Sequence, residues 1–287
     1  MVVENIKNIM GEEFIYIFIA NDYGAGVHLF EISKLVNSNK YFVFLGPSRS
    51  LLNDCALNYE DLGILDNLPN NLNYKIFIGS GWQTHLEFNA VQKCNQKNLD
   101  YYVIIDNWVN YKERFIRQNK IVNPKKIIVF DSLAKQLALS NFENSKIYQL
   151  DNLYCEQLKS EFHQSIEDSI IVFLDPIINQ PNLISDRVIF LLEKIMNEEK
   201  ISKLKIRLHP SESISPNEIV SRFEDYFSEI EICTAKKSLI EDLSNCKVAV
   251  GIQSYALYIS ALLGIKTYSI GKYLGIEVTL PSAIEVI

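Results

Sequence analysis

The chain contains little cysteine and no long apolar run, and both absences restrict what the protein can be. Its five cysteines are Cys55, Cys94, Cys155, Cys233 and Cys246. Because they are odd in number, widely spaced and without a CxxC pair, they argue against a disulfide framework and a zinc knuckle. The first apolar run, Phe14 to Ala20, is far shorter than the roughly 20 residues that cross a bilayer. We therefore expect a cytoplasmic protein, with peripheral contact at the inner face of a membrane left open.

Motifs that hold metals or common cofactors are also missing. The sequence has no HExxH, HxH or clustered carboxylate pattern, so we expect no catalytic metal. It has neither a GxxxxGKS/T loop nor a GxSxG elbow. The turn Gly24-Ala25-Gly26 lacks the third glycine of the dinucleotide fingerprint, so the sequence gives no support for a bound dinucleotide. The formal net charge of -7 gives no general attraction to nucleic acid.

Strand-like apolar runs alternate with helical patterns along almost the whole chain, which is typical of parallel βαβ units. The predicted strands are residues 14–20, 41–45, 75–79, 101–106, 126–130, 146–150, 170–174, 203–208, 229–233, 247–251 and 266–271. A polar stretch from 151 to 168 interrupts this pattern. We therefore predict an α/β protein of two doubly wound, Rossmann-like domains facing a cleft, with one domain over 1–155 and the other over 156–287.

The predicted strand 203–208 delivers a histidine to its carboxyl end. Alternate side chains share a face of a strand, so Lys205, Arg207 and His209 point one way. Pro210 ends the strand and leaves His209 at the edge where open α/β sheets bind ligands. Lys205 and Arg207 lie earlier on the strand, and we expect them to pair with helix carboxylates.

Three further positions in the second half are candidates for binding a nucleotide. The turn Gly251-Ile252-Gln253-Ser254 joins a strand to a helix, where backbone N–H groups and the Ser254 hydroxyl would meet a phosphate. Alternatively, Ser254 is only a helix N-cap. Asp175 follows a strand and would line the same rim, unless it only shapes a turn. Glu241 would accept from ribose hydroxyls, or it only favours the start of its helix.

In the first half, Asp106 stands at the end of an apolar strand, where a carboxylate can act as general base or merely cap the next turn. The loop behind it contains Trp108, a candidate acceptor contact, followed by Lys112, Glu113 and Arg114, which we interpret as a solvated face. Further candidate acceptor contacts are Gly24 and Gly26, in a loop before a helix over 28–36, and Trp82 and His85, in a strand-to-helix turn. Core packing or capping is the alternative for the last two.

Taken together, the chain resembles GT-B glycosyltransferases, and more narrowly the bacterial sialyltransferase-like enzymes that use CMP-activated nonulosonic acids or Kdo. The resemblance rests on Arg207-Leu208-His209-Pro210, similar to their His-Pro motif, on Ser254 in a strand-to-helix turn, and on Asp106 at a strand end. The sequence departs from their acidic motif in Asp106-Asn107-Trp108 and from their serine motif in having Gln253 before Ser254.

The resemblance implies a GT-B type arrangement, with 1–155 as the acceptor-side domain and 156–287 as the nucleotide-sugar-binding domain. It also implies a metal-independent inverting transferase in lipopolysaccharide or capsule synthesis, with no cofactor apart from a CMP-sugar donor. Asp106 would deprotonate a glycan or glycolipid acceptor, while His209 and Ser254 would bind the departing phosphate. Two alternatives stay open at this stage: a UDP- or GDP-sugar-dependent transferase or epimerase, and a non-catalytic nucleotide-binding partner in a glycan-assembly complex.

Overall fold

The chain divides into two compact units, Met1–Tyr154 and Cys155–Ile287. The computed structural model describes residues 6–11, 13–37, 39–52, 57–69, 71–81, 84–165, 168–174, 186–208, 215–234 and 238–287. The division lies one residue before the boundary that the polar stretch suggested, within the helix α5, Leu153–Glu161.

The first unit is built on a six-stranded parallel sheet. Its strands are β1 Ile15–Ala20, β2 Lys40–Phe44, β3 Tyr74–Ile78, β4 Tyr101–Ile104, β7 Lys126–Val129 and β8 Lys146–Gln149, while β5 Ile116–Arg117 and β6 Lys120–Ile121 form a separate antiparallel hairpin. The order in the sheet is β2-β1-β3-β4-β7-β8. The strands read as continuous apolar runs because helices cover parallel sheets on both faces.

Helices of the first unit follow its strands. They are α1 Tyr23–Lys34, α2 Gly63–Asp66, α3 Leu86–Gln96 and α4 Ser132–Asn141, with 3-10 turns at Ile6–Asn8, Gly46–Leu51 and Glu113–Phe115. α1 begins earlier than the periodicity predicted, directly after Asp22 in extended conformation, so Gly24 and Gly26 are helical residues and not loop residues. The N-cap of α4 is Asp131, whose carboxylate accepts from the Ala134 N–H.

The second unit also has a six-stranded parallel sheet, with the order β11-β10-β9-β12-β13-β14. Its strands are β9 Ser169–Phe173, β10 Lys203–Arg207, β11 Ile230–Cys233, β12 Cys246–Gly251, β13 Lys266–Ser269 and β14 Glu285–Val286. Its further helices are α6 Asp186–Glu199, α7 Pro216–Phe223, α8 Leu239–Leu243 and α9 Tyr255–Leu262, with a 3-10 turn at Lys272–Leu274. When the six strands of this unit are numbered along the chain, their order in the sheet is 3-2-1-4-5-6, which is the strand order of the Rossmann fold.

Each unit has its own hydrophobic core, and the two cores differ in composition. In the first unit, aromatic rings on neighbouring strands stack, with ring centroids 5.6 Å apart for Phe18 and Phe77 and 5.3 Å apart for Phe77 and Tyr102. The second core is mainly aliphatic, with Val172 and Ile206 among its buried members.

The predicted strands are found within about two residues of their expected bounds. No helix among the described residues combines the length and apolar composition that a membrane crossing requires.

Candidate functional site

Strand order locates a ligand-binding edge in each sheet. In open α/β sheets, ligands bind outside the carboxyl ends of the strands, where the strand order reverses. In the first unit that point lies between β1 and β3, and in the second between β9 and β12. The segments that follow these four strands are therefore the ones in which to look for functional side chains.

Asp106 follows β4 in the first unit and is ion-paired there with Arg114. Oδ1 of Asp106 accepts from Nη1 of Arg114 at 2.9 Å, and the two residues are only 9% and 3% exposed. The interpretation of Arg114 as part of a solvated face is therefore wrong. Its charge is buried because a carboxylate compensates it, the condition under which proteins tolerate buried arginine.

The guanidinium of Arg114 also ties together the loops after β3 and β4. Nη1 donates to the carbonyl oxygen of Ser80 at 2.9 Å and to its hydroxyl oxygen at 2.8 Å. Nη2 donates to the side-chain oxygen of Asn107, and Nε donates to the Val109 carbonyl at 3.2 Å. With its planar donor array occupied in this way, Arg114 fixes the position of Asp106 as well as its charge environment.

A second carboxyl group, Asp22, follows β1 at the start of α1. Burial raises its pKa, and the nearby charge of Asp106 raises it further, while Arg114 acts in the opposite direction. Asp22 and Asp106 thus share one neighbourhood but have different surroundings, since Asp106 has the direct ion pair. Such a difference in environment is how proteins prepare one carboxyl as an acid and another as a base.

Glu87, in the first turn of α3, holds the loop that carries Asp22. Its Oε1 accepts from the backbone N–H of Asn21 at 2.6 Å, and the residue is 2% exposed. Burial raises the pKa of this carboxyl. A Cβ at Gly81 would lie 2.9 Å from Oε1 of Glu87 and 3.2 Å from the Cβ of Asp22, so this close packing requires glycine there.

Beneath this cluster, α1 contributes the buried imidazole of His28. The ring stacks on Phe130 with centroids 4.3 Å apart and meets Tyr154 edge-on at 5.8 Å. Burial lowers the pKa of His28 to about 4, although the charge of Asp106 opposes the shift. The imidazole is therefore neutral near pH 7 and adds no positive charge to the cluster.

The structure separates the five candidate acceptor contacts. A Cβ at Gly24 would collide with Oδ2 of Asp106, so this glycine belongs to the cluster. Gly26 instead packs α1 against the 3-10 turn, because its Cβ would lie 2.8 Å from that of Ser48, and a contact with acceptor is not what the structure shows. His85 is an exposed N-cap residue of α3 without a side-chain capping bond. Trp82 lies outside the described residues.

Trp108 does not face a ligand in the first unit. The residue is 5% exposed, and its indole N–H donates to Oδ2 of Asp131 at 2.9 Å. This bond joins the Asp106 loop to the start of α4. The acceptor contact expected of Trp108 is therefore corrected to a packing role, since its ring is covered and its N–H is bonded within the protein.

In the second unit, the turn after β12 brings Gln253 and Ser254 to the switch point. The Ser254 Oγ accepts from the Leu257 N–H at 3.1 Å, as expected of an N-cap of α9. As a hydroxyl, this group can accept that bond and still donate its own proton. Nε2 of Gln253 donates to the Thr279 carbonyl at 3.1 Å, which links the turn to the C-terminal segment.

The remaining predicted nucleotide contacts of the second unit have mixed outcomes. Glu241 is part of a capping box, where its Oε2 accepts from the Ser238 N–H at 2.8 Å, so its capping alternative is confirmed. His209, Pro210 and Asp175 lie outside the described residues.

The side chains of Lys205 and Arg207 point to one face of β10, as predicted. Arg207 is ion-paired with Asp242, a buried carboxylate on α8, which confirms the expected pairing. Lys205 donates to the Asp242 carbonyl oxygen at 2.8 Å and to the side-chain oxygen of Asn245. Arg207 thus pairs with a helix carboxylate as predicted, whereas the described bonds of Lys205 go to uncharged acceptors and differ from the predicted pairing.

Asp22, Glu87 and Arg114 were not singled out by the sequence pattern. For Asp22 a signal was present, since it follows the apolar run of β1 just as Asp106 follows β4. For Glu87 and Arg114 the linear sequence gave none, because Asn21 is 66 positions from Glu87, and Asp106 and Ser80 are eight and 34 positions from Arg114. Within the described residues, no group of three or more His, Cys, Asp or Glu side chains is arranged to hold a metal ion.

Comparison with known proteins was informative at the level of the fold. No protein-family model matches the sequence, and a search of curated proteins finds no match. Among solved structures, S. aureus MnaA in a co-structure with UDP aligns with a TM-score of 0.63 and 8% identity, over 90% of this chain and 79% of that one.

Two further solved structures extend this comparison. Neisseria meningitidis UDP-GlcNAc 2-epimerase bound to UDP-GlcNAc aligns with a TM-score of 0.61 and 10% identity, over 95% and 86% of the two chains. Anabaena HepE in complex with UDP-glucose aligns with a TM-score of 0.59 and 10% identity, over 95% and 85%. The chain thus has an α/β, GT-B-like fold with two Rossmann-like domains, as the sequence predicted.

The predicted CMP-sugar specificity is corrected by the same comparison. The structures that share the fold over nearly the whole chain include a UDP-GlcNAc 2-epimerase and proteins with UDP or UDP-glucose bound, so the main interpretation as a sialyltransferase-like enzyme is wrong. The physical reason is that a His-Pro motif and a helix-capping serine recognise a phosphate, which every nucleotide sugar contains. Such groups do not distinguish CMP from UDP, and the fold does not do so either.

Proposed function

We propose that the chain is a UDP-sugar-dependent enzyme of the epimerase type. Its carboxyl groups in the first unit would move a proton on the sugar, and the switch point of the second unit would bind the nucleotide. The carboxyl pair Asp22 and Asp106 carries this proposal. The UDP-containing structures of the same fold support the choice of nucleotide.

Inverting C2 of a UDP-sugar requires a base that removes the C2 proton while UDP leaves C1 with the electrons of its bond, which forms a C1–C2 double bond. An acid then returns a proton to the other face of C2 as UDP adds back to C1. Asp106 suits the base because its ion pair with Arg114 stabilises the carboxylate. Asp22 suits the acid because burial and the charge of Asp106 raise its pKa and favour its protonated form. A carboxylate stabilised by an ion pair and a carboxyl whose pKa is raised can supply the two halves of the reaction.

Binding of the nucleotide is assigned to the start of α9. The helix N-terminus presents backbone N–H groups and a positive dipole end, which attract phosphate. Ser254 caps this helix and can donate its hydroxyl proton to a phosphate oxygen. His209 as a second phosphate contact, and a reaction without a metal, stay predictions, the latter tested by turnover after exhaustive treatment with a chelator.

The decisive experiment is hydrogen exchange into the sugar. We expect the protein, incubated with UDP-GlcNAc in deuterated water, to form the C2 epimer and to incorporate deuterium at C2 without any added acceptor. Proton NMR follows the loss of the C2 hydrogen signal, and mass spectrometry follows the gain in mass. UDP-glucose, GDP-sugars and CMP-sugars serve as parallel donors, and calorimetric titration compares UDP, GDP and CMP.

Asp106→Asn should lower the exchange rate by roughly a hundredfold or more, the usual contribution of a positioned general base. The matched control is Asp66→Asn, which makes the same substitution at a carboxylate that is about half exposed and paired with Lys93. UDP release that depends on an acceptor, with no exchange at C2, would identify a transferase instead. Binding of UDP without turnover of any donor would identify a non-catalytic nucleotide-binding protein.

A further inference from the structure

One arginine contacts the loops after β3 and β4 in the first unit, and this arrangement bears on which carboxyl holds the proton. Arg114 lies on the 3-10 turn that leads into the β5–β6 hairpin, only eight residues after Asp106. It binds Ser80 behind β3 and Asp106 behind β4, and it is itself buried. The guanidinium of Arg114 thus connects the loop after the carboxyl end of β3 with the loop after the carboxyl end of β4.

The effect of Arg114 on the two carboxyl groups is unequal. Asp106 receives a direct hydrogen-bonded ion pair at 2.9 Å. The charge of Arg114 lowers the pKa of Asp22, but burial and the charge of Asp106 each have a larger effect on that pKa. Because a charge-assisted bond stabilises the charged partner more than a distant charge does, the proton of the pair is directed to Asp22.

The second oxygen of Asp106 is also fixed in place. A Cβ at Gly24 would collide with Oδ2, so this oxygen occupies the space that a side chain would take at the start of α1. The positive end of α1 lies on that side as well, but Asp22 is the N-cap of that helix, so the helix dipole does not distinguish the two carboxyl groups and the ion pair with Arg114 does. The other titratable groups that act on or respond to Asp106 are Asp22, the neutral His28 and Tyr111.

We propose that Arg114 is a positioning residue, which holds Asp106 as the charged base and thereby leaves Asp22 as the carboxyl that carries the proton. The inference rests on the proposed function for its catalytic meaning. The distribution of charge between the two carboxyl groups is, however, a property of the protein alone and can be measured without turnover.

The matched control is Arg117, which lies three residues further along the chain, on β5 of the hairpin. Its Nη2 donates to the carbonyl oxygens of Gly81 at 3.4 Å and Thr84 at 3.2 Å, in the same loop that Ser80 belongs to. Arg117 therefore ties the hairpin to the same loop through backbone acceptors. Arg114→Ala and Arg117→Ala remove the same charge and comparable loop contacts, but only the first removes the ion pair with Asp106.

We expect Arg114→Ala to lower kcat by roughly a hundredfold while KM for UDP-GlcNAc changes by less than about threefold, because the base is displaced and nucleotide binding is not. Guanidinium chloride, added well below its unfolding range, should restore part of kcat in Arg114→Ala and none in Arg117→Ala. Arg114→Lys, which keeps the charge and guards against a folding defect, should fall between wild type and Arg114→Ala.

Carboxyl carbon NMR on protein labelled at aspartate tests the charges directly, with the two signals assigned from Asp22→Asn and Asp106→Asn. At pH 7 the chemical shifts of the two carboxyl carbons should differ in wild type and in Arg117→Ala, and this difference should shrink in Arg114→Ala, because the ion pair that distinguishes the two groups is lost. An undiminished difference between the two signals in Arg114→Ala would overturn the inference, as would equal kcat losses in both alanine variants without rescue. If wild type turns over no nucleotide sugar, the proposed function fails, and the NMR result still decides the role of Arg114.

Discussion

The two units have the same kind of sheet, but the described turns at their ligand-binding edges differ in chemistry. In the first unit, ionisable side chains are buried at the carboxyl ends of the strands, with Asp22 after β1 at the switch point and the ion pair of Asp106 and Arg114 after β4. In the second, the corresponding turn offers the neutral side chains of Gln253 and Ser254 at a helix start.

Among the described residues of the second unit, the buried charged side chains are Lys205 and Asp242, and Asp242 is paired with the partly exposed Arg207. The contrast teaches that a shared α/β frame can divide a task. An edge with carboxyl groups of unequal environment suits proton transfer, whereas a neutral helix N-terminus suits an anion. The following variants test that division, from the largest expected effect to the smallest.

The largest effect is expected from Asp22→Asn. The variant has no ionisable proton at the acid position, so kcat should fall by roughly a hundredfold. The pKa of Asp22 is raised, and in the proposed reaction its protonated form is the active one. Wild-type kcat should therefore decline as pH rises through that pKa. The residual activity of the variant should lack this decline. A pH profile of kcat for both proteins measures it, and the same profile shape in the variant would remove Asp22 from the mechanism.

An intermediate effect is expected from Ser254 in the second unit. Ser254→Ala should cost about 1 kcal/mol of unfolding free energy through the lost cap of α9, whereas Ser254→Gly should cost only a few tenths. If the hydroxyl donates to a phosphate, both variants should bind UDP about tenfold more weakly, because a bond to a charged acceptor contributes about 1.5 kcal/mol.

Calorimetry for UDP and urea unfolding separate the two roles of Ser254. UDP affinity that follows stability, weak in the alanine variant and normal in the glycine variant, would leave Ser254 as a cap alone.

The smallest effect is expected from Glu87→Gln, whose amide oxygen can still accept from the Asn21 N–H. Because the folded-state pKa of Glu87 lies above the unperturbed value of 4.5, the folded protein loses stability as pH rises from that value through the raised pKa. Glutamine has no such loss, so the stability of the variant relative to wild type should increase over this window. Urea unfolding at about pH 5 and about pH 8 compares the two.

Asp242→Asn in the second unit stands outside this order and is compared with Glu87→Gln, because removing its charge should have the opposite effect on stability. There the buried carboxylate neutralises Arg207, so removing its charge should cost about 3 kcal/mol. Stabilisation by both substitutions, or by neither, would show that the two units do not differ in the way proposed.

The sequence determined the strands, the two-unit organisation and several local caps. Apolar runs specify buried parallel strands irrespective of what surrounds them, and the Ser238 and Ser254 caps depend on residues three positions away. The sequence also placed Asp106 at a strand end, which the structure has just after β4. These features depend on neighbours along the chain, which is why periodicity and local chemistry suffice to predict them.

Only the tertiary structure decided which side chains meet. Arg114 looked solvated because its neighbours in sequence are charged, yet it is buried since Ser80, 34 positions away, and Asp106 converge on it. The sequence suggested Trp108 as a sugar contact, but in the structure its indole N–H is bonded to Asp131 at the start of α4. The nucleotide was beyond local reasoning for a related reason: motifs that recognise phosphate do not specify the base, and the environment of a carboxyl group depends on burial and on charges brought near by folding.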